Sequence, residues 1–500
     1  MNSFSNFEVN AERFVKNNVY LNTEIQTDEV LSYEEIKHLL PRPVWNGHND
    51  AVDCYYKSWE LAFSNIKKAI PGTGFVSNFI DTAFNGCLFM WDSCFILMFG
   101  KYARHIFDFQ RTLDNFYSHQ HSDGYICREI SEKTGAEVWS KQNLSSTGPN
   151  IMPWCEWENW LLIHDKERLS RVFDPLLAYH IWFSKNRTWD DGTYFVTGYG
   201  SGMDNSPRIN YDLYDLSTHH GFVSAIDACC QQYLSATVLL KMAEVLGRSD
   251  EVVFLKKEAD LLYNAVNCSM WDESSKFYYD RNKDGSLTYV KTAASFWALI
   301  ADLVPEARRD DFVAHLDNEN EFNRPCRLPS LSADHPDYNN DTGGYWCGGV
   351  WAPTNYMTLK GLEKHGYDKL AYDIGYSYLS NVVEVFNKTG TLYENYSPEK
   401  AAPGVGRDDF VGWTGLAPIS VLFEFVFGIK PFPVENKIKW IINRTEKHGI
   451  EGYRLGNTVI DLICEERISN EEKPQITIKT SAPVTIEVEW NGGCDIYSID

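Results

Sequence analysis

Ala225–Leu246 reads AIDACCQQYLSATVLLKMAEVL, and after the link Gly247–Asp250 the chain continues at Glu251–Val266 as EVVFLKKEADLLYNAV. In both stretches apolar residues recur at helical spacing, and the link is Gly- and Asp-bearing, so the pair predicts a helical hairpin. Working outward, Phe95–Phe116, Thr292–Leu303, Thr354–Leu362, Ala371–Val385 and Leu416–Phe427 have the same character. Loops rich in Gly, Asp and aromatic residues separate them. The repetition is one of structure and not of sequence period.

Residues 46–430 therefore form one helical body of about a dozen helices, which suggests a mainly α fold, an (α/α)6 barrel built as a ring of helical hairpins. In such a ring the loops at one end converge on a central pocket. Periodicity alone leaves an irregular helical bundle or a solenoid open. Before the body, residues 1–45 are a polar arm ending in the helical-looking Tyr33–Leu40, followed by Pro41 and Pro43. After it, residues 431–500 change to strand patterning: Thr458–Cys464, Gln475–Thr480 and Val484–Trp490 alternate or are β-branched, with a turn at Asn491-Gly492-Gly493. This predicts a small C-terminal antiparallel β module packed on the helices.

Composition narrows the function. Of 500 residues, 14% are aromatic, including 16 Trp, a usage that accompanies carbohydrate binding as well as core packing. The net charge is −23, from 69 acids against 46 bases, and no basic cluster interrupts it. Such a field repels nucleic acid and acidic membrane surfaces, so neither is expected as a partner. No run of about 18 apolar residues suggests a membrane span. The twelve cysteines form no CxxC pair and no zinc-type cluster. They read as buried free thiols in a reducing compartment, and the opening Met1–Asn6 lacks a secretion signal, so a cytoplasmic location is expected.

The loops carry the chemistry. Gly200–Arg208, GSGMDNSPR, sets Asp204 among small, turn-forming residues where a ligand can approach the backbone. Leu392–Pro398, LYENYSP, sets Glu394 between Tyr393 and Tyr396, and Asp409–Thr414, DFVGWT, adds Trp413. Two carboxylates in aromatic-rich loops suit glycoside hydrolysis, one protonating the leaving oxygen and the other activating water or attacking directly. Two other features are discounted. Asp280–Gly285 fits the first half of a calcium loop, but Lys291 stands where the bidentate Glu belongs. His219-His220 are neighbours whose side chains point apart. No metal and no cofactor is expected.

Five stretches together carry a family resemblance. Met90–Phe95 contains a Trp-Asp-x-x-Phe pattern at Trp91 and Asp92, and Asp123–Glu129 an Asp-Gly-aromatic-x-x-Arg-Glu pattern ending in Arg128 and Glu129. Gly202–Arg208, Gly344–Tyr356 and Tyr393–Tyr396 complete the set in order. The chain resembles the trehalases and glycoside hydrolase family 63 over roughly residues 85–425. The resemblance implies an (α/α)6 barrel and inverting, exo-acting hydrolysis of an α-linked glucoside or related small oligosaccharide. It implies Asp204 as general acid and Glu394 as general base. Cys347 stands where relatives have Arg, and the trehalase Gln-Trp-Asp-x-Pro run is absent, which argues against trehalose.

Around that pair, Asp92 is expected to bind sugar hydroxyls, with a helix N-cap as its structural alternative. Arg128 and Glu129 are expected to bind hydroxyls or to form an ion pair. Trp91, Trp154, Trp189, Trp346, Trp351 and Trp413 are candidate walls or stacking platforms, and Arg208, Tyr345, Asn355 and Tyr393 complete the binding set. The expected partner is a small carbohydrate, with the oligomeric state open. Two alternatives stand beside hydrolysis: a sugar isomerase or epimerase on a similar barrel, which needs a His base, and a carbohydrate-binding protein without catalysis.

Overall fold

The computed structural model describes residues 9–83 and 85–499, so Met1–Asn6 lies outside the described residues. Among the described residues twelve helices build the body, beside a single helical turn at Gly198–Ser201. In chain order they are α1 Asn49–Ser64, α2 Met90–Gly100, α3 Asp114–Tyr117, α4 Met152–Ile163, α5 Lys166–Asn186, α6 Ile226–Leu246, α7 Val253–Ser269, α8 Trp297–Ile300, α9 Glu306–Val313, α10 Ala352–Lys364, α11 Asp368–Thr389 and α12 Ala417–Val426. The last has the wider turns of a π-helix.

The even-numbered helices pack in sequence, α2 on α4, α4 on α6, α6 on α8, α8 on α10, and α10 on α12, which returns to α2. The odd-numbered α1, α5, α7 and α11 lean on this inner set from outside. Composition explains which helix goes where. All eleven residues of α2 are buried, as expected of a helix that is apolar on every face. On α7 the buried positions are Leu255, Glu258, Ala259, Leu262 and Val266, a single stripe at 3.6-residue spacing. Glu258, the acid on that stripe, accepts a hydrogen bond from the Tyr194 hydroxyl at 2.7 Å and lies 3.2 Å from His180, as a buried carboxylate must.

The predicted hairpin is present as α6 and α7, with a short 3₁₀ turn at Ser249–Val252 between them. Phe95–Phe116 is not one helix. The helix stops at Gly100, which packs against the Phe109 ring, and 3₁₀ turns follow at Lys101–Ala103 and Phe109–Leu113.

Among the described residues eight strands form two four-stranded sheets: β1 Arg42–Trp45, β2 Ile429–Phe432, β3 Lys437–Ile441, β4 His448–Leu455, β5 Thr458–Cys464, β6 Ile476–Thr480, β7 Val484–Trp490 and β8 Gly493–Ile499. One sheet runs β1-β4-β5-β6 and the other β2-β3-β7-β8. Two features depart from expectation. β3 and β7 pair in parallel, so the module is not wholly antiparallel, and β1 joins the C-terminal sheet from before the helical body. The module packs on the helices, with Trp45 meeting Tyr376 and Phe427, and the Trp440 indole donating to the Phe427 carbonyl at 2.9 Å. Among the described residues no helix is long and apolar enough to cross a membrane.

Candidate active site

The loops leading into five of the six inner helices, α2, α4, α6, α10 and α12, enclose a cavity of about 290 Å³. Trp91 and Asp92, in the first turn of α2, form part of its wall. Gly148 and Pro149 come from the approach to α4, and Tyr199, Gly202 and Asp204 from the loop ahead of α6. Tyr345 and Trp346 precede α10, and Trp413 precedes α12. A short two-stranded ribbon, Cys87–Phe89 against Glu129–Ser131, brings in Arg128 and Glu129.

Local sequence fixes the Asp204 loop. Thr197 caps a single turn at Gly198–Ser201 by accepting the Gly200 N–H at 2.9 Å. Gly202 then reverses the chain at φ 77°, and a Cβ there would come within 3.0 Å of the Trp91 ring. Below the loop, Arg208 is buried and bonds Asp227 through both terminal nitrogens at 2.6 Å, while holding Asp280 at 2.7 and 2.8 Å. Asp227 is in the first turn of α6, so this cluster ties the loop to that helix. Arg208 is thus a brace under the cavity and not part of its wall.

The next residue, Asn205, joins the acid's loop to the loop before α10. Its amide donates to the Gly344 carbonyl at 2.9 Å, and its side-chain oxygen accepts the Trp346 N–H at 2.8 Å. Cys347, at the position read as Arg in relatives, directs its thiol to the Asn205 carbonyl at 3.4 Å. Tyr345 occupies a left-handed conformation, φ 68°, costly for a side chain with a Cβ. Its hydroxyl donates to Glu394 Oε1 at 2.8 Å, and the Arg407 N–H donates to Oε2 at 3.2 Å. Three consecutive contacts therefore connect the loop of Asp204 to the carboxylate of Glu394.

Burial governs the protonation of this group. Asp204 is pushed up to about 6, chiefly by loss of solvent, with Arg128 opposing and Glu394 reinforcing the shift. Asp92 is driven well above the usual carboxylate range by burial and then by Glu394. Glu394 is also raised by burial, against the stabilising hydrogen bonds of Tyr345 and Arg407.

Of the sequence-predicted residues, Trp91, Asp92, Arg128, Glu129, Asp204, Tyr345, Trp346 and Trp413 line the cavity. Glu394 stands behind Tyr345, and the Trp413 indole donates to its carbonyl at 2.9 Å. The others are elsewhere. Trp351 lies beneath Trp346, the rings parallel and 3.9 Å apart, and its indole donates to the Tyr345 carbonyl. Asn355 is fully buried in α10 and bonds the Trp351 carbonyl, while the Tyr393 carbonyl accepts from Thr414. Trp154 packs on Trp297 and faces a second cavity, near the opposite ends of the inner helices. Trp189 packs on Phe195 and His220. Neither is among the residues that wall the candidate cavity.

Sequence reasoning missed three aromatic wall residues, Phe89, Trp139 and Tyr199. Trp139 and Tyr199 lie outside the five motifs, and Phe89 stands one residue before the first of them. Asp284 serves a turn, accepting from the Ser286 N–H and hydroxyl, and His219 and His220 pack among Tyr214 and Phe222. Among the described residues one group has metal-ligand types together, Glu487, Glu489 and Cys494 on the C-terminal sheet. It lies outside the cavity wall.

A model of the mannosylglycerate hydrolase MGH1-like glycoside hydrolase domain matches residues 88–414. An uncharacterized protein of Borreliella burgdorferi is 25% identical over 386 residues, covering 75% of this chain and 79% of that protein. The mannosyl-oligosaccharide glucosidase of Saccharomyces cerevisiae is 23% identical, with 52% of this chain matched to 35% of its length. The chain thus spans about a third of that relative. The GH63 mannosylglycerate hydrolase of Thermus thermophilus, solved with Tris and D-glycerate, superimposes with a TM-score of 0.60 at 19% identity, over 73% of this chain and 99% of that one. The two share a fold.

Proposed function

The chain belongs to the MGH1-like family of glycoside hydrolases, and from that premise we propose that it is an inverting, exo-acting hydrolase of a small α-linked sugar on an (α/α)6 barrel. In this reading residues 46–430 are the catalytic barrel, preceded by the arm 1–45 and followed by the supporting β module 431–500. Asp204 gives its proton to the glycosidic oxygen as the bond from that oxygen to C1 breaks. Water adds to C1 from the opposite face, and Glu394 takes the proton that water loses. Solvent then returns a proton to Asp204 and removes one from Glu394. Asp92, Trp91, Trp346 and Trp413 hold the sugar whose C1 reacts.

The observation that carries the reading is the contrast between the two carboxyls. Asp204 is nearly buried and keeps its proton up to about pH 6, while Glu394 receives a donor on each oxygen. One is suited to donate a proton and the other to accept one. The isomerase alternative needs a histidine over the substrate, and among the described residues no histidine walls the cavity. The twelve unpaired cysteines support a reducing compartment such as the cytoplasm.

The test is a panel of α-glucosides, α-mannosides and a mannosyl conjugate of glycerate, with NMR reading the anomer released first. Release of the β-anomer is expected. Release of the α-anomer, or cleavage of none of the panel, would overturn the reading.

A further inference from the structure

The proton donor of an inverting glycosidase stands beside the leaving group, and the base stands across the ring with the water. The two sides of this cavity can therefore be told apart by which carboxyl they adjoin. Glu394 is held by Tyr345, Arg407 and Trp413. Asp204 shares its loop with Tyr199 and Gly202, and the charges of Arg128 and Glu129 reach it. The wall on the Asp204 side is thus Arg128, Glu129, Trp139 and Tyr199.

That wall differs in kind from the other. Trp91, Trp346 and Trp413 are 7%, 1% and 4% exposed, whereas Tyr199 is 37% exposed. Among the described residues no protein group hydrogen-bonds the Tyr199 hydroxyl. Trp139 is half-buried, and its ring lies 6.5 Å from that of Tyr199 at an interplanar angle of 57°. The indole is fixed in place: its N–H donates to Glu129 Oε2 at 2.7 Å, and the Arg128 guanidinium lies 5.3 Å over its ring. Arg128 is fixed in turn by donating through Nε to the Ser145 carbonyl at 2.6 Å. The fixed face of Trp139 and the face of Tyr199, both partly open to solvent, offer flat apolar surface to a ligand ring, with a carboxylate and a guanidinium at its edge for hydroxyls.

We infer that Trp139 and Tyr199, with Arg128 and Glu129 at their edge, form the subsite for the leaving group, and that this leaving group is a neutral ring such as a second pyranose. An acyclic acid fits poorly. It has no face to stack, and the one cation of this wall already lies 3.7 Å from Glu129, with Asp204 adding a second acid nearby. The inference rests on the proposed hydrolase reading and adds to it the class of the group released.

The experiment compares two kinds of substrate on the full-length enzyme. In α-glucosyl and α-mannosyl fluorides the leaving group is one atom and cannot reach this wall, while in neutral α-linked disaccharides it is a ring. For Trp139→Ala and Tyr199→Ala, kcat/KM on the disaccharide should fall about tenfold further than on the fluoride, mostly through KM. Tyr199→Phe, which keeps the ring, should restore the disaccharide to within about twofold of wild type. Equal losses on both substrates would assign these rings to the reacting sugar or to structure, and overturn the inference. So would no loss on either, or a wild-type preference for the glycerate conjugate over every disaccharide. Cleavage of fluorides with intact anomeric inversion would leave the hydrolase reading standing in each of those cases. Cleavage of no fluoride and no disaccharide would overturn both.

Discussion

Replacing Asp204 with asparagine should inactivate the enzyme and, at the same pH, make the fold more stable. The carboxyl is raised to about 6 in the folded chain, against an ordinary value of 3.8. A raised acid binds its proton more tightly when folded, so its contribution is most favourable below the unfolded value and is lost as pH rises through the folded one. Two units correspond to about 3 kcal/mol at pH 8, shrinking to about 1 kcal/mol at pH 4.5. Asparagine is never ionised and escapes this penalty. For 500 residues, an unfolding entropy of about 2.1 cal/mol/K per residue turns 3 kcal/mol into a rise of about 3 °C in Tm. Paired melts of wild type and Asp204→Asn at pH 8 and 4.5 would read it, with a larger gain at the higher pH. Activity on α-linked disaccharides should fall by at least about 100-fold, the contribution of a positioned general acid. A variant no more stable than wild type at pH 8, or a gain independent of pH, would refute the claim that Asp204 bears a burial penalty.

Three further outcomes follow from the same geometry. In wild type, kcat/KM on a disaccharide should decline about tenfold per pH unit above the Asp204 value of about 6, because the donor is then ionised; a profile flat to pH 8 would remove Asp204 from that role. Tyr345→Phe deletes the hydroxyl that bonds Glu394 Oε1. Glu394 then holds its proton more tightly, and the acid limb of the profile should move to higher pH, whereas a purely structural defect would lower the whole curve without moving it. Arg208→Ala leaves Asp227 and Asp280 as buried, unpaired acids, a loss of about 3–5 kcal/mol in urea unfolding; Arg208→Lys should recover little, since an ammonium cannot form the same fork.

The inner and outer helices differ in how readable they were. Val253–Ser269 buries one stripe, so its phase is visible in the sequence, although the helix starts two residues later and ends three residues later than the stretch Glu251–Val266. Met90–Gly100 is buried on every face, and an all-apolar run has no phase to mark where the helix stops. Its end at Gly100 depends on the Phe109 ring packing there, a contact between segments that periodicity does not register. The site shows the same division. Asp92, Arg128, Asp204 and Tyr345 sit in motifs, and motifs preserve the loops that face the cavity. Trp154 and Trp189 were drawn toward the site by residue type alone, yet a tryptophan's position in the chain says nothing of which way its ring turns. Arg208 looked like a binding residue because its partners, 19 and 72 residues away, are adjacent only in the fold. Trp139 and Tyr199 lie outside the motifs, and only the fold brings their rings together.

The division of labour between the two carboxyls also depends on the fold more than on their identity. Both are raised by burial, so burial cannot distinguish them. The distinction is in who donates to them. Among the described residues no side chain donates to the Asp204 carboxyl, whose opposing influence is the charge of Arg128, while each Glu394 oxygen has a donor of its own. One of those donors is available because Tyr345 accepts a left-handed backbone at φ 68°, in a loop that Asn205 fastens to the segment bearing Asp204. The backbone strain at Tyr345, of order 1–3 kcal/mol, is offset by those hydrogen bonds. Its consequence is that the Tyr345 hydroxyl is aimed at Glu394. An acid with no side-chain donor and a base with a donor on each oxygen, joined through one strained residue, separate the protonation states that hydrolysis needs.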